Sequence, residues 1–279
     1  MPWEVTMTVC DLNTWEEFES EVDRVKKIVS PMANGKSFYV LFRGHTNHEW
    51  NLATTLERYM GKNIKVSVYY NLIKESKDEI EAFTGKKWND ADNFLKDLES
   101  FDPSQKSIAT ILPLDYLVYL RHHGFPSPLL DWTRSSYIAA YFAFGGLSIQ
   151  KRVSIYAYVE HLGIKTTWPD ALNIYTLPRK NIGSEIRHFL QQSAYTICTA
   201  EEGINTYFGN FEKVTSIPPT KPQDLLYKFT LPADERSKVL KILDTYNINA
   251  YSLFRSEESL METVFIREHL CKKSVRVFH

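Results

Sequence analysis

Arg43 and Gly44 follow an apolar run at residues 37–42 (SFYVLF), and Thr46 stands two residues further on. A planar guanidinium grips a pyrophosphate bidentately, where a lysine supplies only a point charge. A glycine beside it lets main-chain N–H and C=O groups come close to a flat base. A second polar group lies far downstream, in residues 129–136 (LLDWTRSS), which lead into residues 137–144 (YIAAYFAF). An apolar pair, a hydroxyl-rich corner and then an apolar helical stretch describe a strand-to-helix junction. Backbone N–H groups at such a junction are free to bind an anion or a dinucleotide. Thr133 and Ser135 offer hydroxyls to a ribose, and Tyr137 and Tyr141 offer rings to a flat base. The plainer reading of the same residues is a helix start capped by Asp131 or Thr133, with the aromatics in the core. His122 and His123 precede Gly124. Imidazoles titrate near neutral pH, so either fits a nucleotide pocket, and either equally fits the end of a helix closing at Arg121. As a metal site the pair is poor, because His45 and His48 lie on another stretch and no cysteine is nearby in sequence.

The elements that must position these groups follow from periodicity. Residues 14–29 predict an amphipathic helix with Trp15, Phe18, Val22, Val25 and Ile28 on one face, and Thr14 with Glu17 as a capping box. Residues 37–42 predict a buried strand that ends at Arg43-Gly44. Helices are expected over 66–83, 107–121 with a break near Pro113, 234–243 and 256–268, and a polar turn over 85–92. Strands are expected over 153–159, 195–199 and 225–229. Residues 217–222 (IPPTKP) form a Pro-rich connector, read as a long loop within a single α+β domain covering residues 1–279.

Composition narrows the function classes. At 43% hydrophobic and 14% aromatic residues the chain is globular, not disordered. It has no apolar run of the ~18 residues a membrane span needs, and no signal-peptide pattern, so a cytoplasmic protein with no membrane partner is expected. Three scattered cysteines make no disulfide framework, and without a CxxC pair no metal is expected. A formal charge of −1 rules out a polycationic chain, so any nucleic-acid contact must come from a local patch.

Four stretches, taken together, resemble the FRG domain family. They are Leu41-Phe42-Arg43-Gly44 with Trp50 and Thr55-Leu56-Glu57-Arg58; residues 122–144 from His122 through LLDWT to Phe144; Arg187 with Gln191 and then Tyr195-Thr196-Ile197; and Ile248 to Leu253-Phe254 with Glu257-Glu258. The chain departs from the family pattern at Ser193 (usually Gly), Tyr195 (usually Phe) and Arg255-Ser256 (usually Pro-Asp). The layout is in turn similar to the ADP-ribosyltransferase fold, which implies a split β-sheet core. That similarity implies NAD as substrate, and Arg43, Gly44, Thr46, His122, His123, Asp131, Thr133, Ser135 and Tyr137 as its pocket. It also implies a macromolecular acceptor, RNA or DNA in preference to protein, and a toxin or anti-phage effector that an antitoxin protein could silence. Cleaving the nicotinamide–ribose bond passes through an oxocarbenium-like state that a carboxylate stabilises. Gln191 or Gln192 falls where transferases of this fold carry glutamate, and a glutamine orients a hydroxyl but is no base. Glu258 is the expected acid, ahead of Glu257, Glu185 and Asp131, so Arg43, Glu258 and Gln191 form the expected catalytic set. The alternative is a nucleotide-binding module that regulates a partner without turnover.

Overall fold

The computed structural model describes residues 7–33, 38–91, 94–100, 110–146, 150–160, 172–177, 186–202, 205–211 and 224–271. Residues 34–37 and 107–109, the Pro-rich connector at 217–222 and Glu185 lie outside the described residues. The strands are β1 (Thr8–Asp11), β2 (Val40–His45), β3 (Leu130–Thr133), β4 (Arg152–Val159), β5 (Leu172–Thr176), β6 (Ser193–Glu202), β7 (Asn205–Phe208) and β8 (Leu225–Pro232). The helices are α1 (Trp15–Val29), α2 (Thr55–Met60), α3 (Val66–Thr84), α4 (Phe94–Glu99), α5 (Leu114–His122), α6 (Ser136–Phe144), α7 (Ile186–Leu190), α8 (Arg236–Thr245), α9 (Ala250–Phe254) and α10 (Glu257–Ile266). Among the described residues no helix is long and apolar enough to cross a membrane.

The fold is α+β. One mixed sheet runs in the order β1-β8-β4-β2-β3-β6-β5, with β7 also on β6. Only β1 joins in parallel, along β8; the other pairings are antiparallel. β2 and β4 are in register along the whole of β2, from Val40↔Val159 to His45↔Ser154. β2 and β3, by contrast, meet at one pair, Phe42↔Thr133. The sheet is therefore continuous but has a seam between β2 and β3.

Side-chain alternation along the strands decides what covers each side of that seam. On one face Leu41, Tyr156 and Tyr158 share a core with Leu130, Trp132, Ala194 and Cys198, so a single core runs beneath the seam. The other face carries two cores. Phe42, Ile155, Ala157 and Phe229 pack with α1, α6 and α8, while Tyr195 and Ile197 pack with residues of α3 and α5. The seam is where one cover ends and the other begins.

Local chemistry explains most of the elements. Thr14 caps α1 by accepting from the Glu17 N–H at 3.2 Å, while the Glu17 carboxylate accepts from Asn13 N–H at 2.7 Å, one residue earlier than a capping box requires. Trp15, Phe18, Val22 and Val25 are buried as expected, but the last apolar position is Val29; Ile28 is exposed. α5 begins after Pro113, whose fixed φ suits a helix entry.

Two findings concern the signature residues. The strand expected to end at Arg43-Gly44 continues to His45, so both residues sit inside β2. Gly44 meets a packing demand from α6. A Cβ placed on it would lie 1.9 Å from the Ala139 carbonyl oxygen and 2.6 Å from the Ala143 nitrogen. The two alanines and the glycine let α6 lie directly on β2, and that contact fixes the floor beside the seam. Gly44→Ala is expected to destabilise the fold by about 3 kcal/mol, the upper range for overpacking a rigid contact, read as a lower urea midpoint.

Candidate functional site

The gap left by the β2–β3 seam opens into a cavity of about 430 Å³. β2 contributes Arg43, Gly44 and His45, and the loop after it Thr46 and Trp50. Arg58 of α2, Arg121 and His122 of α5, Asp131 and Thr133 of β3, and Phe142 of α6 line it further. Arg187 and Gln191 at α7, Ser193 and Tyr195 of β6, and Phe254 of α9 complete it.

Arg43 bridges the gap. Its Nη1 donates to the Asp131 carbonyl oxygen at 2.7 Å, and its Nε donates to His45 Nε2 at 3.0 Å. An extra strand pair would have satisfied that carbonyl; here a side chain does. Burial brings Arg43 down to about 10, with the Asp131 charge opposing and Arg121 and Arg58 adding to the decrease. His45 is buried and held down to about 3, first by burial and then by the Arg43 charge. It is therefore a neutral acceptor for Arg43 and too weak a base for proton transfer near neutral pH.

The C-terminal end of α5 locks the opposite wall. Register places Asp131 beside Tyr195. Arg121 then pairs with Asp131 (Nη2–Oδ2 2.7 Å), and the next residue, His122, meets the Tyr195 hydroxyl at 2.7 Å through Nε2. Tyr195 is fully buried, and its hydroxyl also lies 3.2 Å from His188 Nδ1, with the His188 ring stacked on it. The Tyr195 hydroxyl thus joins two imidazoles. Asp131 Oδ1 is buried with no hydrogen-bond partner among the described residues. A buried acceptor left open costs free energy, which a ligand donor would recover.

Of the residues expected from sequence, Arg43, Gly44, Thr46, His122, Asp131, Thr133 and Gln191 line this cavity. Gln191 donates its amide N–H to the Leu253 carbonyl at 3.2 Å, which leaves its amide oxygen as the acceptor. The Thr133 hydroxyl accepts from the Ser135 N–H at 3.2 Å, and Ser135, not Asp131 or Thr133, caps α6 by accepting from Ile138 N–H at 3.3 Å. That capping bond explains Ser135, which does not line the cavity.

Four further residues expected at the site do not line the cavity. Tyr137 points the other way, donating to Glu19 at 2.9 Å and packing on Trp15 and Tyr246. Tyr141 likewise donates to Glu262. His123 is exposed at the end of α5, its ring tilted against Tyr119 with centroids 4.2 Å apart. Glu258 is an exposed first-turn residue of α10 outside the lining, its carboxyl lowered chiefly by a hydrogen bond from Ser256 and least by the charge of Arg187. Among the described residues, the one carboxylate in the lining is Asp131.

Spacing gives His45 no site role beyond a poor metal pairing, and Trp50 and Arg58 stand out in the sequence only as parts of a signature. Trp50 is half-exposed at the cavity, edge-on to His45 at 6.1 Å between ring centroids. Its position in the first signature was the signal available. Indeed each of the four signature stretches sends at least one side chain into this one cavity.

Residues 39–152 match the model of the FRG domain. The chain carries an FRG domain. The matched segment supplies Arg43, His45, Arg58, Arg121 and Asp131, while Arg187, Gln191, Tyr195 and Phe254 close the FRG cavity from beyond it. No curated protein and no solved structure matches the chain.

The depressed His45 sets a pH dependence. The unfolded chain takes up a proton near pH 6.5, whereas the folded chain does so only near 3, so stability is full above 6.5 and is lost as pH falls through that window. Denaturation midpoints measured from pH 7 to 4 should show a slope of up to about 1.4 kcal/mol per pH unit that His45→Gln removes.

Proposed function

We propose that this cavity binds NAD and transfers its ADP-ribose to a macromolecule, a nucleic acid in preference to a protein, in the manner of an ADP-ribosyltransferase. The observation that carries the reading is the ring of four guanidiniums, Arg43, Arg58, Arg121 and Arg187, around a space with one lining carboxylate. Such a ring favours a pyrophosphate, and the nearby faces of Trp50, Phe142 and Phe254 suit the flat ends of a dinucleotide. In the reaction the C1′–N bond breaks and its electron pair leaves with neutral nicotinamide. The Asp131 carboxylate stabilises the oxocarbenium ribose. The acceptor attacks C1′ and gives up its proton to His122, whose imidazole lines the same space. In a cell the activity is that of a toxin or anti-phage effector of the cytoplasm, held in check by an antitoxin partner.

A second reading rests on one distance. Asp131 is already paired with Arg121 at 2.7 Å, so its charge is compensated before any ligand arrives. In that case the cavity holds a nucleotide without turnover and regulates a partner protein.

Adenine-labelled NAD incubated with the protein and a cell lysate separates the two. Transfer puts label in the nucleic-acid fraction; a binding module leaves NAD bound and intact. Arg43→Lys keeps the charge but loses the fork, and should weaken NAD binding about tenfold or more. Asp131→Asn should keep binding and lower turnover about 10²–10³-fold, while Glu258→Gln stays near the unsubstituted protein. Full NAD affinity in Arg43→Lys would overturn the assignment.

A further inference from the structure

The seam opens on both sides of its single pair. Towards Gly44 and Asp131 it opens into the arginine cavity. In the other direction β3 ends at Thr133 and the chain turns into α6, leaving the first residues of β2 without a β3 partner. A second, more open cavity of about 460 Å³ lies there, lined by Lys26, Lys27 and Ser30 from the end of α1, Phe38, Tyr39, Val40 and Phe42 from the approach to β2 and β2 itself, and Arg134. Phe42 lines both spaces, so the Phe42–Thr133 pair is the wall between them.

We infer that this second groove seats the phosphate backbone and one base of a single-stranded nucleic acid, presented to the first cavity across the Phe42 wall. The inference rests on the transferase reading above, for which it names the acceptor's docking site. Among the described residues the lining holds three cations and no carboxylate. Lys26 shares Asp23 at 3.5 Å, and Lys27 has no ion pair among the described residues. Arg134 lies over the Tyr39 ring, its guanidinium carbon 3.7 Å from the centroid. That contact stiffens an aromatic plane whose side chain is still half-exposed. Cations that track phosphates, beside a ring on which a base can stack, are what sequence-tolerant single-strand binding requires. Because the whole chain has a formal charge of −1, attraction for a polyanion has to come from a local cluster such as this.

The test is fluorescence anisotropy on the full chain with labelled 12-nucleotide single-stranded RNA and DNA and with an oligoglutamate of similar charge. NAD affinity is measured on the same samples. Either oligonucleotide should bind in preference to oligoglutamate, with a slope of log affinity against log salt of about −2 for three phosphate contacts. Lys26→Glu with Lys27→Glu should weaken binding about tenfold or more and flatten that slope, and Tyr39→Ala should weaken it several-fold with the slope kept. The RNA and DNA arms decide which sugar is preferred. Unchanged affinity in these variants, equal binding of oligoglutamate, or no oligonucleotide binding would overturn the groove. Loss of NAD binding with oligonucleotide binding intact would instead overturn the transferase reading alone.

Discussion

One guanidinium holds the two halves of this sheet in place. With β2 and β3 joined at Phe42↔Thr133 alone, the Asp131 carbonyl would be a buried acceptor without a strand partner. Arg43 takes that role from β2, and it stays in position because His45, two residues along the same strand, accepts its other N–H as a neutral imidazole. The cost is a desolvated positive charge. It is tolerated because the charge is delocalised, hydrogen-bonded and faces a cavity that an anion can enter. The bridge across the seam follows from this one side chain, and its charge adds to the burial that keeps His45 neutral.

The opposite wall is built on a different principle. Two consecutive residues at the end of α5, Arg121 and His122, engage Asp131 and Tyr195, which the β3–β6 register sets side by side. A helix end is thereby keyed to a strand pair by one ion pair and one hydroxyl bond. The half of the molecule beyond the seam can then stand over its own core, built from α3, α4 and α5, separately from the core that α1, α6 and α8 make over β2.

Much of this was legible in the residues. The Arg43 element and the LLDWT corner read as partners across a strand-to-helix junction, and the structure sets them on adjacent strands. What failed did so for identifiable reasons. Periodicity gave no direction to Tyr137, because α6 is buried nearly all round, and a helix apolar on every side does not show which face meets the site. The packing demand on Gly44 comes from Ala139, almost a hundred residues away, and no local pattern shows it. Glu258 looked like an acid in the right order along the chain, yet where α10 folds back depends on tertiary contacts that no local pattern carries. The short strands β1, β5 and β7 lacked the length for alternation to show, and Trp50 and Arg58 acquire a place only once α2 and the loop after β2 close the rim.

The pair Phe42–Thr133 has a thermodynamic meaning beyond its place in the sheet. It is a boundary common to two spaces, so neither can change its width there without changing the other's. If occupancy on one side favours one setting of that wall, occupancy on the other must feel the same free energy in return, whatever the ligands are. A thin partition of this kind needs no relay of residues to carry a signal from one ligand to another; the partition is itself the connection.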